Sequence, residues 1–130
     1  MSSTSLGELQ YAIMRVLWDE REASVAQVFE RLPARHRRAL TTIATMLTKM
    51  EKKGAVTHRS EGRQFVYAPA ISEAEVQRTM VSELTERVFG GDAAALVAHL
   101  IEEQEIDRRE LERLTERIDE RKKRERRRGR

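Results

Sequence analysis

Apolar residues recur at helical spacing from the start of the chain. Leu6, Leu9, Ile13, Val16 and Leu17 predict an amphipathic helix over about residues 6–19, with Tyr11 and Trp18 closing its apolar side. Ser24-Val25-Ala26-Gln27 then has the form of a capping box, in which Ser24 and Gln27 satisfy free amides at a helix start. Val25, Val28, Phe29 and Leu32 supply the stripe of that second helix, and Pro33 stops it. A third helix is expected from Thr41 or Thr42, with Ile43, Met46, Leu47 and Met50 facing inward and Gly54 as a left-handed C-cap. Beyond Gly54 the period changes. Val56-Thr57-His58-Arg59 and Gln64-Phe65-Val66-Tyr67 are strand-like runs around a Gly62 turn, and Pro69 ends the second run. Three helices and a hairpin within about 65 residues give the order of a winged helix-turn-helix domain.

The remainder is helical. Ile71 to Val76 combines a capping box (Ser72 with Glu75) and a hydrophobic staple, and Val76, Met80, Leu84 and Val88 follow at four-residue spacing. Gly90-Gly91 breaks this helix. Asp92 can cap a shorter one carrying Leu96, Val97, Leu100 and Ile101. The stretch from Ile106 to Leu111 repeats the box and staple, and Leu111, Leu114 and Ile118 form a single-heptad seam too short to stand alone. The expected fold class is therefore mostly α with a small β-hairpin. A DNA-binding domain over 1–70 precedes a helical dimerisation domain over 71–120 and a basic tail over 121–130. The dimer seam is expected to use Val76, Met80, Leu84, Leu96, Leu100, Leu111, Leu114 and Ile118, because these stripes exceed what one small bundle must bury.

Charge divides the chain in the same places. The 130 residues carry a net charge of +3. Residues 1–70 hold 11 Lys/Arg against 7 Asp/Glu, a net of +4; residues 71–120 hold 6 against 14, a net of −8; residues 121–130 hold 8 against 1, a net of +7. An acidic middle is a poor surface for a phosphate backbone, so the front is the candidate. With no cysteine there is no disulfide, thiolate metal site or thiol nucleophile. No apolar run approaches the roughly 20 residues of a membrane span, and Met1 to Ser5 lacks the features of a signal peptide. A cytoplasmic protein without membrane insertion is expected. The histidines at 36, 58 and 99 are scattered, and neither a catalytic triad nor a phosphate-cradling glycine loop is present. No enzyme activity, metal or cofactor is expected.

The third helix carries the most information. At about 100° per residue its apolar stripe spans an arc of roughly 100°. Thr41, Thr45, Thr48, Lys49 and Lys52 gather on the opposite face, and none of them is acidic. Small hydroxyl side chains let a helix approach base edges, where Thr offers a hydrogen bond or a methyl contact to thymine; lysines suit phosphates. A solvated face lacking acids is the plainer alternative, and the capped helix before it favours DNA. Arg37 and Arg38 in the linker, which also contains Arg35, and Arg59, Arg63 and Gln64 around the hairpin tip are either phosphate contacts or solvated side chains. The alternative function is a winged-helix protein-protein interaction module that does not read sequence.

These residues resemble the penicillinase repressor family, which includes repressors of β-lactamase and penicillin-resistance operons and copper-responsive repressors. The resemblance spans about residues 6–120. It rests on Leu6 to Met14 leading to Leu17-Trp18, on Leu40-Thr41-Thr42-Ile43 leading to Leu47, on Glu51-Lys52-Lys53-Gly54, on Glu61-Gly62-Arg63 with Phe65-Val66-Tyr67, and on Val88-Phe89-Gly90-Gly91 with Leu96-Val97. It implies a homodimer whose N-terminal domains read a palindromic double-stranded DNA operator, with Thr41, Thr42 and Thr45 at recognition positions and the turn near Gly62 as the wing. It also implies a membrane-bound sensor protease system as partner, cutting at an Asn-Phe bond; His99-Leu100 stands at that place here. The cysteine cluster of the copper-responsive members is absent.

Overall fold

The computed structural model describes residues 6–129. It falls into a first compact unit reaching to Glu83 and a second beginning at Leu84. The first unit opens with α1 (Glu8–Glu20), which buries Ile13, Met14 and Leu17 completely. A two-residue strand, β1 (Ala23–Ser24), runs directly into α2 (Val25–Arg31). Ser24 Oγ accepts the Gln27 amide at 3.2 Å, and Gln27 Oε1 accepts the Ser24 amide at 2.8 Å. This reciprocal cap contributes about 1 kcal/mol and fixes where α2 starts.

After a 3-10 turn (Ala34–His36) comes α3 (Leu40–Lys52), with Ile43, Leu47 and Met50 fully buried. Its N-cap is Ala39, which makes no side-chain cap bond, so the cap lies two residues before Thr41 and three before Thr42, the starts expected from sequence. Both threonines are thereby free to face outward from the first turn. At the other end Gly54 has φ of 85°. The Ala55 amide donates to Met50 O at 2.9 Å and the Gly54 amide to Glu51 O at 3.0 Å, a Schellman closure that turns the chain into the hairpin.

The hairpin is β2 (Val56–Glu61) and β3 (Gln64–Pro69), paired antiparallel with Glu61 opposite Gln64 and Val56 opposite Pro69. A two-residue turn of Gly62 and Arg63 joins them. The sheet has a third member that the sequence does not announce: β1 pairs with β3, Ala23 opposite Tyr67 and Ser24 opposite Val66, giving the order β1-β3-β2. Two residues are too few to show alternation, and this pairing is set by tertiary contact.

α4 (Glu73–Phe89) begins in the first unit. Val76 is fully buried in the core there, Ile71 and Met80 pack against the same cluster, and Trp18 Nε1 donates to Ile71 O at 3.0 Å. The compact unit thus extends past the expected boundary at residue 70, because the staple at the start of α4 docks onto α1. Val76 is consumed within the chain and leaves the expected dimer seam, while Met80 is half-buried against the same core.

In the second unit Gly90 and Gly91, with φ of 59° and 84°, end α4. Asp92 Oδ1 accepts the Ala94 and Ala95 amides at 3.0 and 3.2 Å and starts α5 (Ala93–Glu102). Asp107 and Glu110 form the expected reciprocal cap of α6 (Arg108–Arg128), which continues through most of the segment expected as a tail. Leu84, Val88, Val97, Ile101, Leu111, Leu114 and Ile118 remain exposed on this unit. Among the described residues no helix is long and apolar enough to cross a membrane.

Candidate nucleic-acid interface

Burial of Ile43, Leu47 and Met50 fixes the rotation of α3 and therefore what it presents. Thr41, Thr42, Thr45, Thr48, Lys49 and Lys52 are all exposed. Two of the threonines are oriented by the helix itself. Thr45 Oγ1 donates to Thr41 O at 2.9 Å, and Thr48 Oγ1 donates to Ala44 O at 3.0 Å. With its proton spent on the helix, each hydroxyl keeps acceptor capacity and a methyl group for an incoming partner. Such a surface suits base amino groups and thymine methyls.

A cleft of about 440 Å3 lies between α3, the start of α2 and the hairpin. Leu40, Ala44 and Thr48 line it on the helix side, and Arg63, Gln64, Phe65 and Tyr67 on the sheet side. Leu40 and Phe65 are 48% and 47% exposed, unusual for large apolar side chains in a unit with a complete core. Sequence reasoning omitted Leu40 and Ala44 from the interface, and it treated Phe65 only as a strand former. The available signal was Phe65 beside Val66 and Tyr67, three large apolar residues in a row of which Val66 and Tyr67 are buried and Phe65, nearer the turn, is not.

The hairpin is held to the end of α3 by side chains. His58 Nδ1 donates to the Glu51 carboxylate, 2.7 Å from each oxygen. The His58 ring stacks on Phe65, with centroids 4.2 Å apart, and lies 5.6 Å from the Tyr67 ring. Arg59 ties the same strand elsewhere: Nη2 donates to Glu22 Oε1 at 2.8 Å and Nη1 to Glu61 Oε2 at 2.6 Å. The hydrogen bond to Glu22, then that to Glu61, raises the Arg59 pKa above its ordinary value; the same Arg59 hydrogen bond, followed by its charge, lowers that of Glu22. Arg59 therefore has two carboxylates as partners and braces the wing.

The remaining arginines sort in the same way. Arg37 Nη2 donates to Glu30 O and Leu32 O, both at 3.3 Å, and its guanidinium lies 5.4 Å from the Phe29 ring centroid. It closes the end of α2, a role that the count of basic residues in the linker does not reveal. Arg38 Nη1 donates to Arg35 O and Arg37 O at 3.3 and 3.1 Å, within the turn. Arg63, Gln64, Lys49 and Lys52 have no side-chain partner among the described residues. The structure thus brings Thr48 of the Thr/Lys face to one cleft with Arg63 and Gln64.

The family model for the penicillinase repressor matches residues 6–120. The chain belongs to the penicillinase repressor family. The penicillinase repressor of Bacillus licheniformis is 28% identical over 119 residues, covering 92% of this chain and 93% of that protein. A transcriptional regulator, BlaI, of Mycobacterium tuberculosis is 37% identical over 101 residues, covering 76% of this chain and 73% of that protein. The solution structure of the DNA-binding domain of the repressor BlaI superposes with a TM-score of 0.50 at 33% identity, covering 58% of this chain and 93% of that one. The family match ends where the predominantly basic part of α6 begins.

Proposed function

We propose that this protein is a sequence-specific DNA-binding transcriptional repressor that acts as a homodimer on a palindromic operator, of the kind that controls β-lactamase or other antibiotic-response genes. The observation that carries this reading is the exposed, acid-free Thr/Lys face of α3, oriented by the buried Ile43, Leu47 and Met50 and flanked by the cleft to the wing. Family membership supports it, as do relatives named for penicillinase and methicillin-resistance regulation. A second copy supplies the second recognition helix, about one DNA turn or a multiple of it away. Leu84, Leu96, Leu100, Leu111, Leu114 and Ile118 form the proposed seam. Genome-wide binding with the full chain tests the whole reading: a palindromic consensus is expected, and binding without sequence preference overturns it.

A sensor protease is a further partner by resemblance. His99 and Leu100 lie inside α5, and their carbonyls accept the Glu103 and Glu105 amides at 3.0 and 2.9 Å, so a protease would have to unwind this helix end to reach the bond between them.

Thr45 is expected to read a base. Thr45→Ala costs about 1–3 kcal/mol on the operator and little on unrelated DNA. Thr45→Val, which keeps the methyl and removes the acceptor, separates a thymine contact from an amino-group contact. Equal losses on both DNAs for Thr45→Ala, measured by fluorescence anisotropy, would take Thr45 off the specificity face.

The two wing arginines are expected to differ. Arg63→Ala weakens operator and unrelated DNA alike and lowers the salt slope by about one unit, as expected for a lost phosphate contact. Arg59→Ala leaves the slope unchanged, because the Arg59 guanidinium is already occupied by Glu22 and Glu61. A one-unit fall for Arg59→Ala would show that its carboxylate pairs open on DNA.

A further inference from the structure

Within α6 the charge pattern changes abruptly at residue 121. Residues 108–120 mix Arg108, Arg109, Arg113 and Arg117 with Glu110, Glu112, Glu116, Asp119 and Glu120, the usual composition of a solvated helix. Residues 121–128 hold seven cations and one carboxylate, a net of +6. Arg121 pairs with Glu125 at 3.3 Å and Lys123 with Glu120 at 3.7 Å. Lys122, Arg124, Arg126, Arg127 and Arg128 have no carboxylate partner among the described residues. Like charges also stand at four-residue spacing in three pairs, Lys122 with Arg126, Lys123 with Arg127 and Arg124 with Arg128, each unfavourable for an isolated helix. This segment lies beyond the family match, so the repressor scaffold does not account for it.

We propose that residues 121–128 form a sequence-independent binding surface for the phosphates of double-stranded DNA, outside the winged-helix domain. The inference rests on the DNA-binding reading above and adds a second contact to it. Charge density selects the partner. At about 1.5 Å of rise per residue the segment is about 12 Å long, one net charge per ~2 Å. Duplex DNA carries one charge per ~1.7 Å. The chain's own acidic stretch, residues 102–120, has nine carboxylates and four arginines, or one net charge per ~6 Å by the same rise. DNA is the denser and better matched polyanion, and the winged-helix domain of the same molecule brings it near. A membrane surface fits poorly, since the segment has no apolar side chain to insert. It has no aromatic or amide side chain, and because arginine and lysine can read guanine as well as bind phosphate, an unchanged affinity ratio in the test below is what assigns these cations to phosphates.

The test is the full chain with Arg124→Gln, Arg126→Gln, Arg127→Gln and Arg128→Gln, glutamine being a comparable helix former. Anisotropy titrations use two duplexes of equal length, one holding the genomic consensus and one unrelated, over a range of salt. The slope of log K against log salt is expected to fall by about two to four units on both duplexes, with the ratio of the two affinities unchanged. A control carrying Arg108→Gln, Arg113→Gln and Arg117→Gln keeps the original slope. An unchanged slope in the four-site variant overturns the proposal. So does a change in sedimentation with the slope retained, which assigns the segment to the acidic stretch of a second copy. If the unaltered chain does not distinguish the two duplexes, the repressor reading fails, while the slope on the unrelated duplex still decides this one.

Discussion

A chain carrying Leu114→Glu and Ile118→Glu is expected to sediment as a monomer and to bind its operator about 10²–10⁴-fold more weakly, the range lost when two linked sites become one. Leu114 and Ile118 are 40% and 55% exposed, on the same side of α6 as Leu111. Apolar side chains spaced by three and four on a helix that buries none of its residues are the pattern of a seam awaiting a partner. Two carboxylates placed there would have to be desolvated and would repel their symmetry mates, whereas the helix itself tolerates glutamate well. The lysine pair at the same positions should give the same loss, which separates a broken dimer from mere repulsion of DNA. A fragment ending at Glu83, which retains Val76 and Met80, should stay folded and show the same weak binding. A variant that remains dimeric by sedimentation would move the interface elsewhere on the second unit.

Leu47→Ala should cost about 2–5 kcal/mol of stability, the range for a fully buried leucine whose cavity cannot collapse. Leu47 lies in the middle of α3 within the core cluster. The folded state of a small domain is favoured by only about 5–15 kcal/mol in total, so this loss is severe and includes the element that reads DNA. The neighbouring Thr48→Ala, at an exposed position, should change stability by about 0.5 kcal/mol or less. Urea unfolding of the full chain measures both. Similar small costs for the two substitutions would mean that α3 is not seated as described.

Features written in local sequence were legible in advance. Ser24 with Gln27, Asp92, and Asp107 with Glu110 mark helix starts because their side chains must satisfy backbone amides within three residues. Gly54 and the hairpin turn were legible because glycine takes up the positive φ that a left-handed cap or a tight turn requires. The Thr/Lys face needed only a periodicity and a core to oppose it. What escaped depends on distant partners. β1 exists because β3 passes beside it. Arg59 is a brace because Glu22, 37 residues away, meets it in space, and Arg37 serves the end of a helix that precedes it. Val76 has the same spacing as the residues after it, and only the docking of the first turn of α4 sends it into the core. The helical state of residues 121–128 was obscured by their charge, although Arg, Lys and Glu are good helix formers and cations suit a helix C-terminus.

The hydrogen bond from Trp18 to the Ile71 carbonyl also gives this protein an optical property. Trp18 is the one tryptophan in the sequence, and the tyrosines, Tyr11 and Tyr67, lie in the same unit, the Tyr11 ring edge-on to it at 5.7 Å. Tryptophan and tyrosine emission therefore originates from the winged-helix unit, and the helices from Leu84 onward contribute none of it. Far-ultraviolet circular dichroism registers both units. Following one sample by the two signals during denaturation distinguishes a molecule that melts as a whole from one whose second unit comes apart first, with no label attached and no residue replaced.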